Sequence, residues 1–556
     1  LNVHDSMSVI LGSLPPAIPA RLAIKPNPFP LMSSHRQLRK LTPYLRKRSV
    51  PQSCFATQTK AAADDRLLAH TWLTRTPEEI TPDDVLSSLP SIPLSLAGPD
   101  HIPILLLTPS LAQWADTTNP FLEQCINRLY RKAPTSGSPE PVHAIVAIVD
   151  KLPDTPSGLQ DNTDNGAVAE SEGISLLFAR TANLQGRAAA PRRIRSSETE
   201  ESALVFSFQT EVSYDSDNAT LRRAVHEVGL RLANTLFING SENTLHGTRW
   251  SYNPPSSSFS FDRSIELSRC RISSTASSVH NTLKLPLHPV GQRREVISSM
   301  GNILRQLAKH PNGTSKDPMP ASSELEKELP RYIEEHNIAD RRVSVWALVE
   351  SPSSNSQVES DGFRTELVRS VQAGGKLHRV MSGGGGWGKK QGLLSLDYET
   401  KFLGPYESNE FTTLDNIFSP FGTSTAQTAP PWFEEKPVVD DLTTLSQVAR
   451  PGDYIQFYVS VEPDHVQNGQ PELLGSREGA ISYQFGVVFD NETSIAQAEK
   501  GAPQKDLRVK PNYFGALSEK AITYSQPIVP IRPEQEVLES NTKLDIPGCR
   551  VKLVAS

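Results

Sequence analysis

After residue 64, apolar residues recur at strand or helix spacing, and these two periods assign the elements. Residues 102–108 and 143–149 are nearly unbroken apolar runs of strand length. Between them, Leu122, Cys125, Ile126 and Leu129 fall on one face of a helix over 121–130. Strand, helix and strand in that order predict a βαβ unit. Further strands are expected at 174–179 and 203–212. Leu221, Val225, Val228, Leu232 and Leu236 then predict a long helix capped by Asn218, with Arg222, Arg223 and Arg231 off its apolar stripe.

Residues 258–273 alternate as a half-exposed strand does. Val296, Met300, Ile303 and Leu307 predict a helix over 295–308. Ser323 and Glu326 read as a capping box for a helix that Pro330 interrupts. A strand at 343–349 and a helix at 363–371 follow. Beyond 420 helical periodicity is sparse, and 454–461, 481–489, 521–531 and 551–554 read as strands between Pro and Gly turns. The expected fold class is an α/β body, a mixed sheet with helices, followed by a mainly β C-terminal domain. The expected divisions are an N-terminal extension over 1–63, an α/β domain over 64–250, a second α/β unit over 251–420 carrying a Gly-rich basic loop at 374–392, and a mainly β domain over 435–556.

Composition refines this. The 556 residues are 37% hydrophobic and include 45 prolines, which suggests domains joined by long polar loops. The net charge of −6 excludes a globally basic nucleic-acid binder, so an anionic partner must be met by a local patch. Cys54, Cys125, Cys270 and Cys549 are too scattered for a disulfide framework or a thiolate zinc site. No apolar run reaches the ~20 residues that a membrane-spanning helix needs.

Between Asp5 and Asp64 there is no acidic residue, whereas Arg36, Arg39, Lys40, Arg46, Lys47 and Arg48 cluster after Met32. Leu38, Leu41 and Leu45 add an apolar face at helical spacing. A basic, acid-free, amphipathic segment predicts a mitochondrial transit peptide starting at Met32 and a matrix location. Pro43 interrupts that helix, and a solvated or RNA-binding basic arm is the alternative reading.

Catalytic motifs are sparse. There is no GxSxG, HExxH, EF-hand loop or CxxC. His226-Glu227 opens a zinc-protease pattern, but Leu230 stands where the second His would be, so no metal ligand and no cofactor are assigned. The strongest local anomaly is the run from Met381 to Gly392. Gly383, Gly384, Gly385, Gly386 and Gly388 surround Trp387, and Lys376, Arg379, Lys389 and Lys390 supply cations with no acid between Leu367 and Leu396. Such a loop can present backbone N–H groups and lysines to phosphate oxygens and an indole for stacking. Lys390 stands where a P-loop needs Ser or Thr, and the GxGxxG match follows automatically from four glycines. A tight packing loop explains the same glycines. Arg187, Arg192, Arg193 and Arg195 form a second basic loop, followed by Glu198, Glu200 and Glu201. The expectation is a non-catalytic matrix protein touching RNA or the mitochondrial ribosome through these loops. The alternative is an α/β enzyme or ligand-binding protein for a phosphorylated small molecule or nucleotide.

Overall fold

Twenty-four β-strands, six α-helices and three short 3-10 helices are the regular elements among the described residues. The computed structural model describes residues 68–92, 100–131, 140–154, 170–189, 202–213, 221–240, 243–311, 316–338, 343–352, 363–383, 392–400, 411–419, 447–460, 480–489, 506–528 and 538–556. The chain divides into Leu1–Asp64 and Asp65–Ser556, and every described residue lies in the second unit.

The first half holds β1 (Leu68–Thr74), β2 (His101–Leu107), β3 (Val142–Ile148), β4 (Leu152–Pro153), β5 (Glu170–Arg180), β6 (Leu184–Ala188), β7 (Ala203–Ser213), β8 (Leu221–Arg231), β9 (Leu245–Asn253), β10 (Ser258–Thr275) and β11 (Val279–Lys284). The middle holds β12 (His288–Met300), β13 (Ile303–Ala308), β14 (Pro318–Pro320), β15 (Ser344–Glu350), β16 (Lys376–Gly383) and β17 (Leu394–Leu396). The last part holds β18 (Tyr454–Ser460), β19 (Ile481–Val487), β20 (Leu507–Pro511), β21 (Tyr513–Ser518), β22 (Ile522–Ile528), β23 (Leu538–Leu544) and β24 (Arg550–Ala555). The helices are α1 (Pro82–Ser87), α2 (Pro120–Leu129), α3 (Leu236–Asn239), α4 (Ser323–Glu335), α5 (Phe363–Gln372) and α6 (Leu414–Phe418).

These strands form three sheets. A 13-stranded sheet runs β20-β1-β5-β2-β3-β9-β10-β7-β8-β22-β23, with β4 on β5 and β6 on β10. A second sheet runs β11-β24-β19-β21. In the third, β12, β18, β15, β16, β17 and β13 pair in turn and β13 returns to β12, closing a six-stranded barrel with β14 attached. The expected βαβ unit is present: β2 and β3 pair in parallel with α2 between them in sequence. Both strands are buried along their whole length, as the continuous apolar runs require. Ile104 and Leu106 face one core, while Leu105 and Leu107 face another with α2. The barrel has its own interior, with Val296, Val349, Leu394 and Phe457.

The α/β body is therefore corrected to a mainly β architecture. Two expected helices are strands. Residues 221–231 form β8, pairing with β7 and β22, and Val228, Leu230 and Leu232 enter the core at a two-residue period. The same residues mimic a helical stripe because this strand carries apolar side chains on both sides. Residues 295–308 are the β12–β13 hairpin, turning at Gly301 with φ 59°. Met300, expected inside, is 54% exposed beside that turn. The helix at 323–335 is present with Pro330 inside it, but its N-cap is Ser322, whose hydroxyl donates to Glu326 at 2.7 Å. Among the described residues no helix is long and apolar enough to cross a membrane.

Candidate anion-binding face

Two bulges in β10 decide which of its side chains face which core. Asp262 is the extra residue between Phe261, opposite Trp250, and Arg263, opposite Arg249. Ser268 is the extra residue between Leu267, opposite Ala188, and Arg269, opposite Arg187. Strict alternation would put Leu267, Arg269 and Arg271 on one face. One inserted residue reverses the phase. Leu267, Cys270 and Ile272 thus share one core, and Arg269 and Arg271 stand on the opposite face.

The register then aligns cations across the 13-stranded sheet. Arg187 on β6 lies opposite Arg269 on β10, Arg269 opposite Ala203 on β7, and Ala203 opposite Arg231 on β8. Directly opposite residues share a face, so three guanidinium side chains form one row with a small Ala among them. The next row carries Arg271, Val205, Gly229, Thr523 and Lys543. The row beyond is polar throughout: Ser273, Ser207, Glu227, Ser525 and Asn541.

Like charges directly opposite one another repel, and carboxylates answer part of this charge. Arg231 Nη2 donates to Glu399 Oε1 at 2.6 Å. Lys543 Nζ donates to Asp397 Oδ2 at 2.6 Å and Glu399 Oε2 at 2.8 Å. Burial alone would lower the pKa of Lys543, but these two bonds outweigh it and hold the ammonium above its ordinary value. Arg271 Nη2 lies 3.7 Å from Glu227, and its guanidinium lies over the Phe411 ring, 5.1 Å from the centroid. Its Nε is buried with no hydrogen-bond partner among the described residues. On this face stand the described cations Arg187, Arg231, Arg269, Arg271 and Lys543, and with them the carboxylates Glu211, Glu227, Glu266 and Glu539 of the strands and Asp397 and Glu399 from beyond β17, so the arginines are grouped closely without a net positive excess. Asp397 and Glu399 follow the barrel strand β17, so the ion pairs also tie the barrel to the sheet.

Of the residues expected to meet phosphate, Arg187 belongs to this face, and Arg192, Arg193 and Arg195 lie outside the described residues. Lys376 and Arg379 are not brought together. They are three apart on β16, so they stand on opposite sides of it. Lys376 is opposite Val349, which faces the barrel interior. Arg379 lies over the Trp346 ring at 5.8 Å and is 3.8 Å from Asp545. Between them His378 is buried, its Nδ1 2.7 Å from the Asp397 carbonyl, and burial pushes its pKa down to about 4. Gly383 ends β16 where a Cβ would come within 2.3 Å of Leu394, so packing against β17 explains this glycine. Gly384, Gly385, Gly386, Trp387, Gly388, Lys389 and Lys390 lie outside the described residues. Sequence reasoning missed Arg269, Arg271, Arg231 as a partner of Arg187, and Lys543. The one local signal was the Arg-Cys-Arg triplet at 269–271.

Other chemistry among the described residues is limited. Cys125, Cys270 and Cys549 are buried, and burial pushes each thiol up to about 12, so they pack rather than attack. His226 and Glu227, neighbours on β8, face opposite sides of the sheet. Among the described residues no three His, Cys, Asp or Glu side chains are grouped to hold a metal ion. Comparison of the chain with protein-family models, curated proteins and solved structures finds no match.

Proposed function

We propose that this protein is a non-catalytic binding protein that holds RNA through its phosphates on the arginine face of the large sheet, and that it does so in the mitochondrial matrix. The observation that carries this reading is the Arg187–Arg269–Arg231 row, fixed by strand register rather than by loops. Guanidinium groups recognise phosphate oxygens with paired N–H donors and lose less hydration than ammonium groups when half-buried. The close grouping of Arg187, Arg269 and Arg231 in one row supplies the local patch that a chain of net charge −6 needs. The Phe411 ring beside Arg271 offers an aromatic surface where a base can stack. The acid-free arginine-rich segment after Met32 supports import.

The test is fluorescence anisotropy with a single-stranded RNA across a potassium chloride series. Arg187→Gln and Arg269→Gln should weaken binding and flatten the salt dependence by roughly 0.7 per lost phosphate contact. Lys327→Gln, on the exposed side of α4, should change neither. Equal affinity and slope in both arginine variants, at wild-type melting temperature, would overturn the RNA reading. For the compartment, a reporter fused to residues 32–63 should enter mitochondria, and a cytosolic reporter counts against it.

A further inference from the structure

We infer that the other face of the large sheet carries a second site, in which Arg249, Arg263 and His143 take the oxyanion end of a small molecule, a carboxylate or a phosphate. His143 on β3 lies opposite Arg249 on β9, and Arg249 lies opposite Arg263 on β10. The three side chains therefore share a face, with neighbours about 5 Å apart at Cβ. The Asp262 bulge creates this arrangement. It turns Arg263 away from the phase of Phe261 and aims its own carboxylate at Arg249.

α6 caps the cluster. Phe418 stacks on His143 with ring centroids 4.9 Å apart and planes at 27°, and Arg263 lies over the same ring at 5.4 Å. Phe418 also packs over Gly247, where a Cβ would lie 3.4 Å from its ring. The aromatic ring holds both polar side chains in place without using any of their hydrogen-bonding atoms.

Those atoms are what points to a ligand. His143 is 6% exposed, and its Nε2 is buried with no hydrogen-bond partner among the described residues. The same holds for Nε of Arg249 and Nε of Arg263. The nearby carboxylates sit only at the rim. Asp262 is 3.3 Å from Arg249 Nε without hydrogen-bond geometry, and Asp415 is 3.5 Å from His143 Nδ1 with its side chain 65% exposed. Two guanidinium groups side by side, each with unused donor capacity, match the two oxygens of a carboxylate or phosphate. The groups facing His143 are Asp415 and Asp262, which raise its pKa, and Arg249 and Arg263, which lower it. Burial dominates and keeps the ring below its ordinary value, hence neutral at pH 7. A bound anion adds negative charge beside it and favours proton uptake.

The full chain is titrated with inorganic phosphate and, separately, with succinate, following the His143 ring resonances by NMR. Saturable shifts and a raised His143 pKa are expected with one probe or both. Phosphate alone assigns a phosphoryl ligand, and succinate alone a carboxylate. Arg263→Gln should weaken binding roughly tenfold or more, and Asp415→Asn should strengthen it by removing a competing carboxylate. Arg269→Gln, on the opposite face, should leave it unchanged while impairing RNA binding. Overturning results are the absence of saturable His143 shifts in the wild-type protein, or equal affinity in folded Arg263→Gln.

Discussion

The carboxylate of Asp150 accepts the backbone N–H of Glu519 at 2.7 Å. Asp150 follows β3 and Glu519 follows β21, so the bond joins the 13-stranded sheet to the four-stranded one. Leu517 and Lys151 form a bridge alongside it. Asp150 is 7% exposed, and burial pushes its carboxyl up to about 6.

A raised carboxyl costs stability where it must ionise. The folded state keeps the proton up to about pH 6, while the unfolded chain releases it near ~3.9. Stability from this group is therefore greatest below pH 4 and falls as pH rises towards 6. Asp150→Asn should remove that slope and be more stable than wild type at pH 7, by at most on the order of 3 kcal/mol. Urea denaturation between pH 4 and 7 measures the gap, and a gap that does not change with pH would refute this.

Asp154 behaves in the opposite sense. Burial would raise its carboxyl, but Arg508 at 2.5 Å and Lys510 at 3.2 Å outweigh it and hold the group below its ordinary value. Its contribution is present above the unfolded value of ~3.9 and is lost as pH falls through the folded one. Asp154→Asn should cost about 1–3 kcal/mol at neutral pH, with the difference closing below pH 4. A constant difference from pH 7 to pH 3 would show that the loss is one of packing.

The Ser268 bulge makes a sharper forecast. Deleting Ser268 forces the strand phase to slip, so that either Leu267 leaves the core or Arg269 and Arg271 enter it. The deletion should abolish soluble, cooperatively melting protein. Ser268→Ala, which keeps the extra residue, should cost no more than about 1 kcal/mol. A deletion variant melting like wild type would mean that the bulge does not set the register.

Thiol chemistry gives a simple check on the cores. In a Cys54→Ser chain the remaining cysteines are the three buried ones. A disulfide reagent at pH 8 should label none of them rapidly until denaturant is added. Fast labelling of the native chain would show that one of these cores opens.

Much of the strand pattern was legible where a strand is apolar throughout, as at β2 and β3, or alternates over part of its length, as β10 does between its bulges. Helix α2 was legible from its apolar stripe and α4 from the capping signal at its start, and α5 stands where a helix was expected over 363–371. β8 was not, because Val225 lies off the face of Val228 and Leu230, and apolar residues on two faces imitate a 3.6-residue period. The β12–β13 hairpin was hidden in the same way, although Gly301 carried a turn signal. Arg187 was legible as a basic position. Its neighbours Arg269 and Arg231 come from strands tens of residues away, and no local rule pairs them. The bulges at Asp262 and Ser268 leave no compositional mark, yet they choose the face on which every later arginine of β10 stands.

Thr74 in β1 pairs with Leu507 in β20, 433 positions further along the chain. Synthesis at roughly 5–20 residues per second separates the two strands by about 20–90 s. Throughout that interval one side of β1 has no strand to pair with, and the outermost part of the large sheet stays unfinished. β11 waits similarly for β24, in which Ala555 pairs with Val279, 276 positions earlier. A nascent chain of this design is left with open strand edges until β20 and β24 have been made, and open edges recruit other chains. Its exposure to aggregation is thus set by the time between the first and last strands, and slower elongation or a premature stop codon lengthens or perpetuates it.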